Sequence, residues 1–223
     1  MSNGFCKPFR ILPNVFLHFL PICGMIVSSK RHGGRALAKE LLDLVDEDGN
    51  PTGEREDRAI IHATGLRHRT AHLWLMRKHE GQVEILLQKR SADKDSYPGC
   101  YDISSAGHIP AGMDFIPSAL RELKEELGLI ATADELTLCG QRRFFHHQTF
   151  HGKPFEDHQV SNVYVLVRDV DPATLTLQAS EVQSVIWMPL CDVRRRVEAG
   201  DPDFCTVLEE VEILERAAGK LLP

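Results

Sequence analysis

The sequence predicts an α/β fold in which a mixed β-sheet lies sandwiched between helices. Three observations predict it: apolar runs of strand length precede and follow one central amphipathic helix, that helix has a helical period, and the C-terminal stretch returns to helical patterning. A length of 223 residues suits one domain with appendages and is ample for a core.

Residues 1–37 read as a poorly ordered extension. Lys7 and Arg10 precede ILPNVFLHFLPICGMIV, which looks like the basic and apolar regions of a secretory signal. Pro13, Asn14, His18 and Pro21 interrupt it, short of the about 20 predominantly apolar residues of a spanning helix, so no membrane association is expected. Met25 is an alternative start, and 28–35 is a basic, glycine-containing linker.

The domain is expected over residues 38–223. ELLDLVDEDGNPTGE places a turn signal after an apolar strand and reads as a hairpin, and 58–64 as a short helix. The runs 71–76 and 83–88, split at Gly81, read as central antiparallel strands. Residues 89–98 read as a charged loop ending in the Tyr97-Pro98-Gly99 turn. Beyond the central helix, 136–145, 160–167 and 182–188 read as strands. His146, His147, His151 and His158 surround Lys153-Pro154 in what reads as a solvated loop. The stretches 189–199 and 203–218 read as helices, the second capped by Asp203. Trp74 and Trp187 sit in apolar strand runs and read as core.

Composition narrows the function classes. A net charge of −6 argues against a nucleic-acid surface, while a phosphorylated substrate stays open because bound metal reverses the sign locally. The six cysteines include no Cys-x-x-Cys pair, which fits reduced structural thiols in a cytoplasmic protein rather than a zinc site or disulfide framework.

The chemistry concentrates in GHIPAGMDFIPSALRELKEELGL, residues 107–129. At roughly 100° per residue, Glu122, Glu125 and Glu126 share one helix face, while Ile116, Leu120, Leu123 and Leu127 cluster on the other. Like charges at helical spacing cost roughly 0.2–0.5 kcal/mol per pair, so a cation is called for. Arg121 supplies part of that charge, and a hard divalent ion suits the remaining carboxylate oxygens.

The spacing of this stretch resembles the Nudix box: Gly107, thirteen residues, then Arg121-Glu122-Leu123-Lys124-Glu125-Glu126-Leu127-Gly128-Leu129. One fixed position departs, since Met113 stands where the family has a glutamate, with Asp114 beside it as a substitute helix cap. The resemblance implies a Nudix-type α/β/α sandwich and a Mg²⁺- or Mn²⁺-dependent hydrolase of a small-molecule diphosphate. By resemblance, Glu122, Glu125, Glu126 and the Gly107 carbonyl hold metal. Glu125 or Glu126 serves as base, with Glu156, Asp157 or Glu181 as alternatives, and Arg121 orients a glutamate. Arg90, Lys94 and His108 are the candidate substrate contacts.

LRHRTAHLWL and ILLQKRSADKDSYPGCYDISSAGH are similar to the Nudix branch that includes isopentenyl diphosphate isomerase. That enzyme holds a metal with histidines near His62, His68 and His108, and its later acidic ligands fall near Asp157 and Gln159. Burial and ligation are both open for His62, His68 and His72. Where the isomerase has a cysteine before Gly-His, this chain has Ala106, which offers no proton, so hydrolysis is the reading preferred over isomerisation. A non-catalytic ligand sensor is the third reading, resting on Met113 alone. The C-terminal helix could pack on a partner chain, and a homodimer is the commonest such assembly.

Overall fold

A computed structural model describes residues 40–222. The expectations for residues 1–37 lie outside the described residues. β1 (Leu41–Val45) and β2 (Pro51–Asp57) form the expected antiparallel hairpin, a two-stranded sheet of their own. The turn closes on Asp46, whose Oδ1 accepts from the Asp48 and Asn50 amides at 2.9 Å each. α1 (Arg58–Thr64) has its expected limits, because the Asp57 carboxylate caps its start and Gly65 ends it.

The main sheet has seven strands: β3 (His68–His79), β4 (Gln82–Arg90), β5 (Tyr101–Asp102), β6 (Ser105–His108), β7 (Leu136–Phe150), β8 (Lys153–Val167) and β9 (Val182–Pro189). Its path runs β5-β4-β3-β8-β7, with β9 on β4 and β6 on β3. β3 and β8 are parallel and the remaining pairs antiparallel, so the sheet is mixed. One edge of β3 serves two strands, β6 along Thr70 to Leu73 and β4 from Met76 onward. The sheet therefore splits there. Ser104, fully buried, bridges the split by accepting from the Leu75 amide and donating to the Leu86 carbonyl.

Alternation along β3 sends successive side chains to opposite faces. Ala71, Leu73 and Leu75 pack with Leu86 and Leu166 against Ala119, Leu123 and Leu127 of α2 (Phe115–Leu127). Trp74 and Met76 pack with Val163 and Val165 against α3 (Leu190–Glu198) and α4 (Leu208–Leu221). This is the expected α/β/α sandwich.

Three expectations are corrected. Lys89 and Arg90 belong to β4 rather than to the following loop. The histidine-rich stretch is no loop, because β7 and β8 pair without interruption from His146↔Asp157 to Phe150↔Lys153 and turn at His151-Gly152. α4 starts at Leu208 instead of after Asp203: the Asp203 carbonyl accepts from the Tyr101 amide and the Cys205 amide donates to the Tyr101 carbonyl, holding 203–205 extended beside β5. No helix among the described residues is long and apolar enough to cross a membrane.

Candidate active site

The box folds as strand, loop and helix. β6 ends at His108, and the Asp114 side chain caps α2 by accepting from the Phe115 amide at 2.7 Å. Met113 is left half-exposed outside the helix. Gly107 is fixed by contact: a Cβ there would lie 2.4 Å from Cδ of Glu122, so the Glu122 carboxylate rests against bare backbone.

The three glutamates sit at graded depths. Glu125 is exposed, Glu122 half-buried, and Glu126 only 5% exposed with Oε2 accepting from the Ala106 amide at 3.2 Å. Of the three, Glu126 points inward onto β6. Burial pushes the Glu126 carboxyl up to about 8, with the Glu122 charge adding to it. Glu122 is raised to about 7, mainly by burial, against the pull of Arg121 and with a push from Glu125. Arg121 donates to Glu122 Oε1 at 2.5 Å, while its Nε is buried without a partner. One guanidinium does not compensate three carboxylates. The oxygen-rich, under-neutralised cluster fits a hard divalent cation.

These glutamates and Gly107 line a cavity of about 370 Å³ that continues past β6 to β3, β7 and the start of α4. Arg90 and Lys94 also line it, but both are engaged. Arg90 donates to the Ser96 carbonyl and to Asp102 at 2.9 Å, and Lys94 pairs with Glu181. Neither presents an unpaired charge to the cavity.

His108 joins His62 and His68, and one ring nitrogen from each lies within 4.8 Å of the others. His68 Nδ1 faces the Leu66 carbonyl at 3.1 Å and His62 Nδ1 the Glu156 carbonyl at 3.3 Å. A carbonyl only accepts, so both Nδ1 atoms carry the proton and both Nε2 atoms present lone pairs. His62 Nε2 meets His108 Nε2 at 3.1 Å, and His68 Nε2 is buried without a partner. Burial, with a lesser push from neighbouring positive groups such as Arg58, holds His62 down to about 4, His68 to about 3, and His108 well below the usual range. Neutral imidazoles whose far nitrogens bond carbonyls are in ligand form. Asp157 Oδ1 lies 3.8 Å from His62 Nδ1 and 3.9 Å from His68 Nε2, beside the triad and outside the set of ring nitrogens that converge.

The sequence reading did not find Glu210, whose carboxylate accepts from His72 Nδ1 at 2.9 Å, Trp74 Nε1 at 2.8 Å and Arg142 at 2.6 Å. Burial pushes its carboxyl up, but His72, Arg142 and Trp74 outweigh that and hold it near 2. A signal existed in β3, where His68, Thr70 and His72 precede Trp74 and Met76 on one face.

A family model described as NUDIX domain matches residues 66–207. Nudix hydrolase 3 of Arabidopsis thaliana is 36% identical over 173 residues, 75% of this chain, and the match spans 22% of that protein's length. An uncharacterized Nudix hydrolase of Clostridium acetobutylicum is 32% identical over 159 residues, 71% of this chain and 74% of the relative. The crystal structure of DR0079 from Deinococcus radiodurans superposes with a TM-score of 0.56 at 23% identity, covering 78% of this chain and 98% of that one, a likeness of fold. With the box glutamates gathered at one cavity on this fold, the chain belongs to the Nudix family and is a Nudix hydrolase.

Proposed function

We propose that this hydrolase cleaves the diphosphate linkage of a small molecule, in a nucleoside diphosphate joined to another group. Glu122, Glu125, Glu126 and the Gly107 carbonyl would hold Mg²⁺ or Mn²⁺. A bound ion there would neutralise phosphate charge and lower the pKa of an attacking water. The observation that carries the reading is the seat of Glu122 against Gly107 beside the buried Glu126.

The chain's own residues divide the remaining work. Arg121 orients Glu122. Of the candidate bases, Glu156 is bonded to His147 and Glu181 to Lys94, while Asp157 adjoins the histidine cluster. Glu125 or Glu126 is the first candidate to accept the water's proton, with Glu181 the alternative once a phosphate has drawn Lys94 away. Lys94 sits at the cavity as a cation that can exchange Glu181 for a phosphate oxygen, and Arg90 serves by holding the loop around Ser96. The four described cysteines are unpaired, which suits a cytoplasmic enzyme, and a homodimer is the assembly to look for.

The histidine triad favours one second reading, the isomerase, whose metal it resembles. Against it, Ala106 carries a methyl group where that chemistry needs a proton donor, and the Cys100 thiol donates to the Pro202 carbonyl. The decisive experiment measures phosphate-bond cleavage over a diphosphate panel that includes isopentenyl diphosphate, with Mg²⁺ or Mn²⁺. Cleavage by the wild type should fall by about 10²-fold or more in Glu125→Gln and Glu126→Gln, the scale set by losing a charge-stabilising group. A shifted double bond without cleavage would overturn hydrolysis in favour of isomerisation.

A further inference from the structure

Arg69 stands where the packing asks for hydrocarbon. On β3 it shares its face with Ala71, Leu73 and Leu75, the row that packs under α2, and it is only 7% exposed. Its Nη2 donates to the Met113 carbonyl at 2.9 Å, and the guanidinium lies over the Phe115 ring, 5.1 Å from the centroid. Asp43 of β1 is equally buried and faces it, with Oδ2 3.7 Å from the same Nη2. That Oδ2 accepts from the Gly112 amide at 2.7 Å, and Oδ1 accepts from Arg55 Nε of β2 at 2.9 Å. Neither Arg69 nor Asp43 lines the cavity.

Both side chains end on one stretch of backbone. Residues 109–113 run from the end of β6, just past the contact of Gly107 with Glu122, to the Asp114 cap of α2. Each of them is held from outside the stretch. The Ile109 amide donates to the Arg69 carbonyl at 3.1 Å, and the Ala111 amide to the Leu41 carbonyl at 2.8 Å. Pro110 pairs with Leu42 of β1. Gly112, turned at φ +79°, is held by Asp43, and Met113 is held by Arg69 through its carbonyl.

Stability alone does not account for these charges. Arg55 is more than half exposed, and an exposed pair contributes little. A buried pair as long as Arg69 with Asp43 gains little over hydrocarbon of the same volume, because desolvation offsets the attraction. What the charged groups supply, and hydrocarbon does not, is direction: bonds of fixed length to one amide and one carbonyl. A misplacement of about 1 Å at an aligned site costs about 10²-fold in rate, and the 109–113 stretch sets how α2 stands against β6. We propose that Asp43 and Arg69 are positioning residues of this hydrolase, a clasp that fixes residues 109–113 and through them seats the α2 carboxylates against β6. Asp43 lies ahead of the matched residues 66–207, so the β1–β2 hairpin serves the site from outside them. The inference rests on the box glutamates holding metal, and it names what holds those glutamates in place.

The test reads metal and backbone separately, with no need of turnover. Mn²⁺ binding to the full chain is followed by electron paramagnetic resonance, the signal lost in Glu122→Gln defining the box site. Amide hydrogen exchange is followed at 109–113 and at Ala106, whose amide donates to Glu126. Asp43→Asn should weaken Mn²⁺ at the box about 10–100-fold, the usual effect of losing a group that orients metal ligands, and should speed exchange at both places. Asp46→Ala opens the hairpin turn without touching the clasp, so it should lower Tm while leaving Mn²⁺ affinity and Ala106 exchange unchanged. If Asp43→Asn does not fold, Arg69→Lys, which keeps the charge and loses the planar fork, should show the same two changes. Wild-type affinity or wild-type exchange in these clasp variants, or an equal loss of affinity in Asp46→Ala, would overturn the proposal. A wild type that binds no Mn²⁺ at the box would instead fail the metal reading. Exchange then judges the clasp alone: faster exchange at Ala106 in Asp43→Asn sustains it, and equal exchange overturns it.

Discussion

Glu126 is the residue at which folding and chemistry pull in opposite directions. Its side chain is placed by burial and by one backbone amide, and burial favours the neutral acid. With its carboxyl raised to about 8 from an unfolded value of 4.5, the folded state holds a proton that the unfolded state has lost, so stability is full below 4.5 and declines as pH rises through 8. The histidines act in the other direction. His62 and His68 are depressed from 6.5 to about 4 and about 3, so their contribution is present above 6.5 and is lost as pH falls through those values. In chelator, Tm should therefore decline on the alkaline side as well as in acid. Glu126→Gln should flatten the alkaline limb in a thermal melt series, and excess Mg²⁺ should lift it, because a ligand must be deprotonated to bind. An alkaline limb unchanged by Glu126→Gln would assign that decline to another group. The carboxylate set was legible from spacing; its graded depth was not, because depth is fixed by β6, whose short run 105–108 carries no strand signal of its own.

Among the elements, α2 carries its boundaries in its sequence. Asp114 accepts the first amide and Gly128 ends the helix at φ +69°, where an added Cβ would lie 2.8 Å from Cβ of Thr176. Asp114→Ala should cost about 1 kcal/mol in urea unfolding, the usual worth of a cap. Gly128→Ala should cost more than about 1 kcal/mol, since strain and contact add. If Asp114→Ala is neutral, the cap does not compensate for Met113. β1, β2 and α1 were legible for the same reason, turn and cap residues being local. α4 was misread because Asp203 imitates a cap while its backbone is claimed by Tyr101, 102 residues away. The outer half of the β7–β8 hairpin was hidden by histidines, whose polarity suits an exposed strand as well as a loop.

Across the whole molecule, Glu210 ties α4 to β3 and β7, holding together elements 138 residues apart in sequence in the case of His72. Glu210→Ala leaves Arg142 buried beside no acceptor at that position, and should cost about 3–5 kcal/mol, read from urea or thermal unfolding. A loss below about 1 kcal/mol would mean that Arg142 finds water from the cavity it lines. Sequence alone could not supply this tie, because it exists only once the sheet has formed. The same separation governs how the protein is made. The parallel pairing of β3 with β8 joins residues 91 apart, as between Thr70 and Ser161. At about 5–20 residues per second, β3 therefore leaves the ribosome roughly 5–20 s before the strand that covers its edge has been synthesised. During that interval an apolar strand offers its open edge to any neighbour, so the birth of this enzyme, more than its mature state, is where chaperones and crowding act on it.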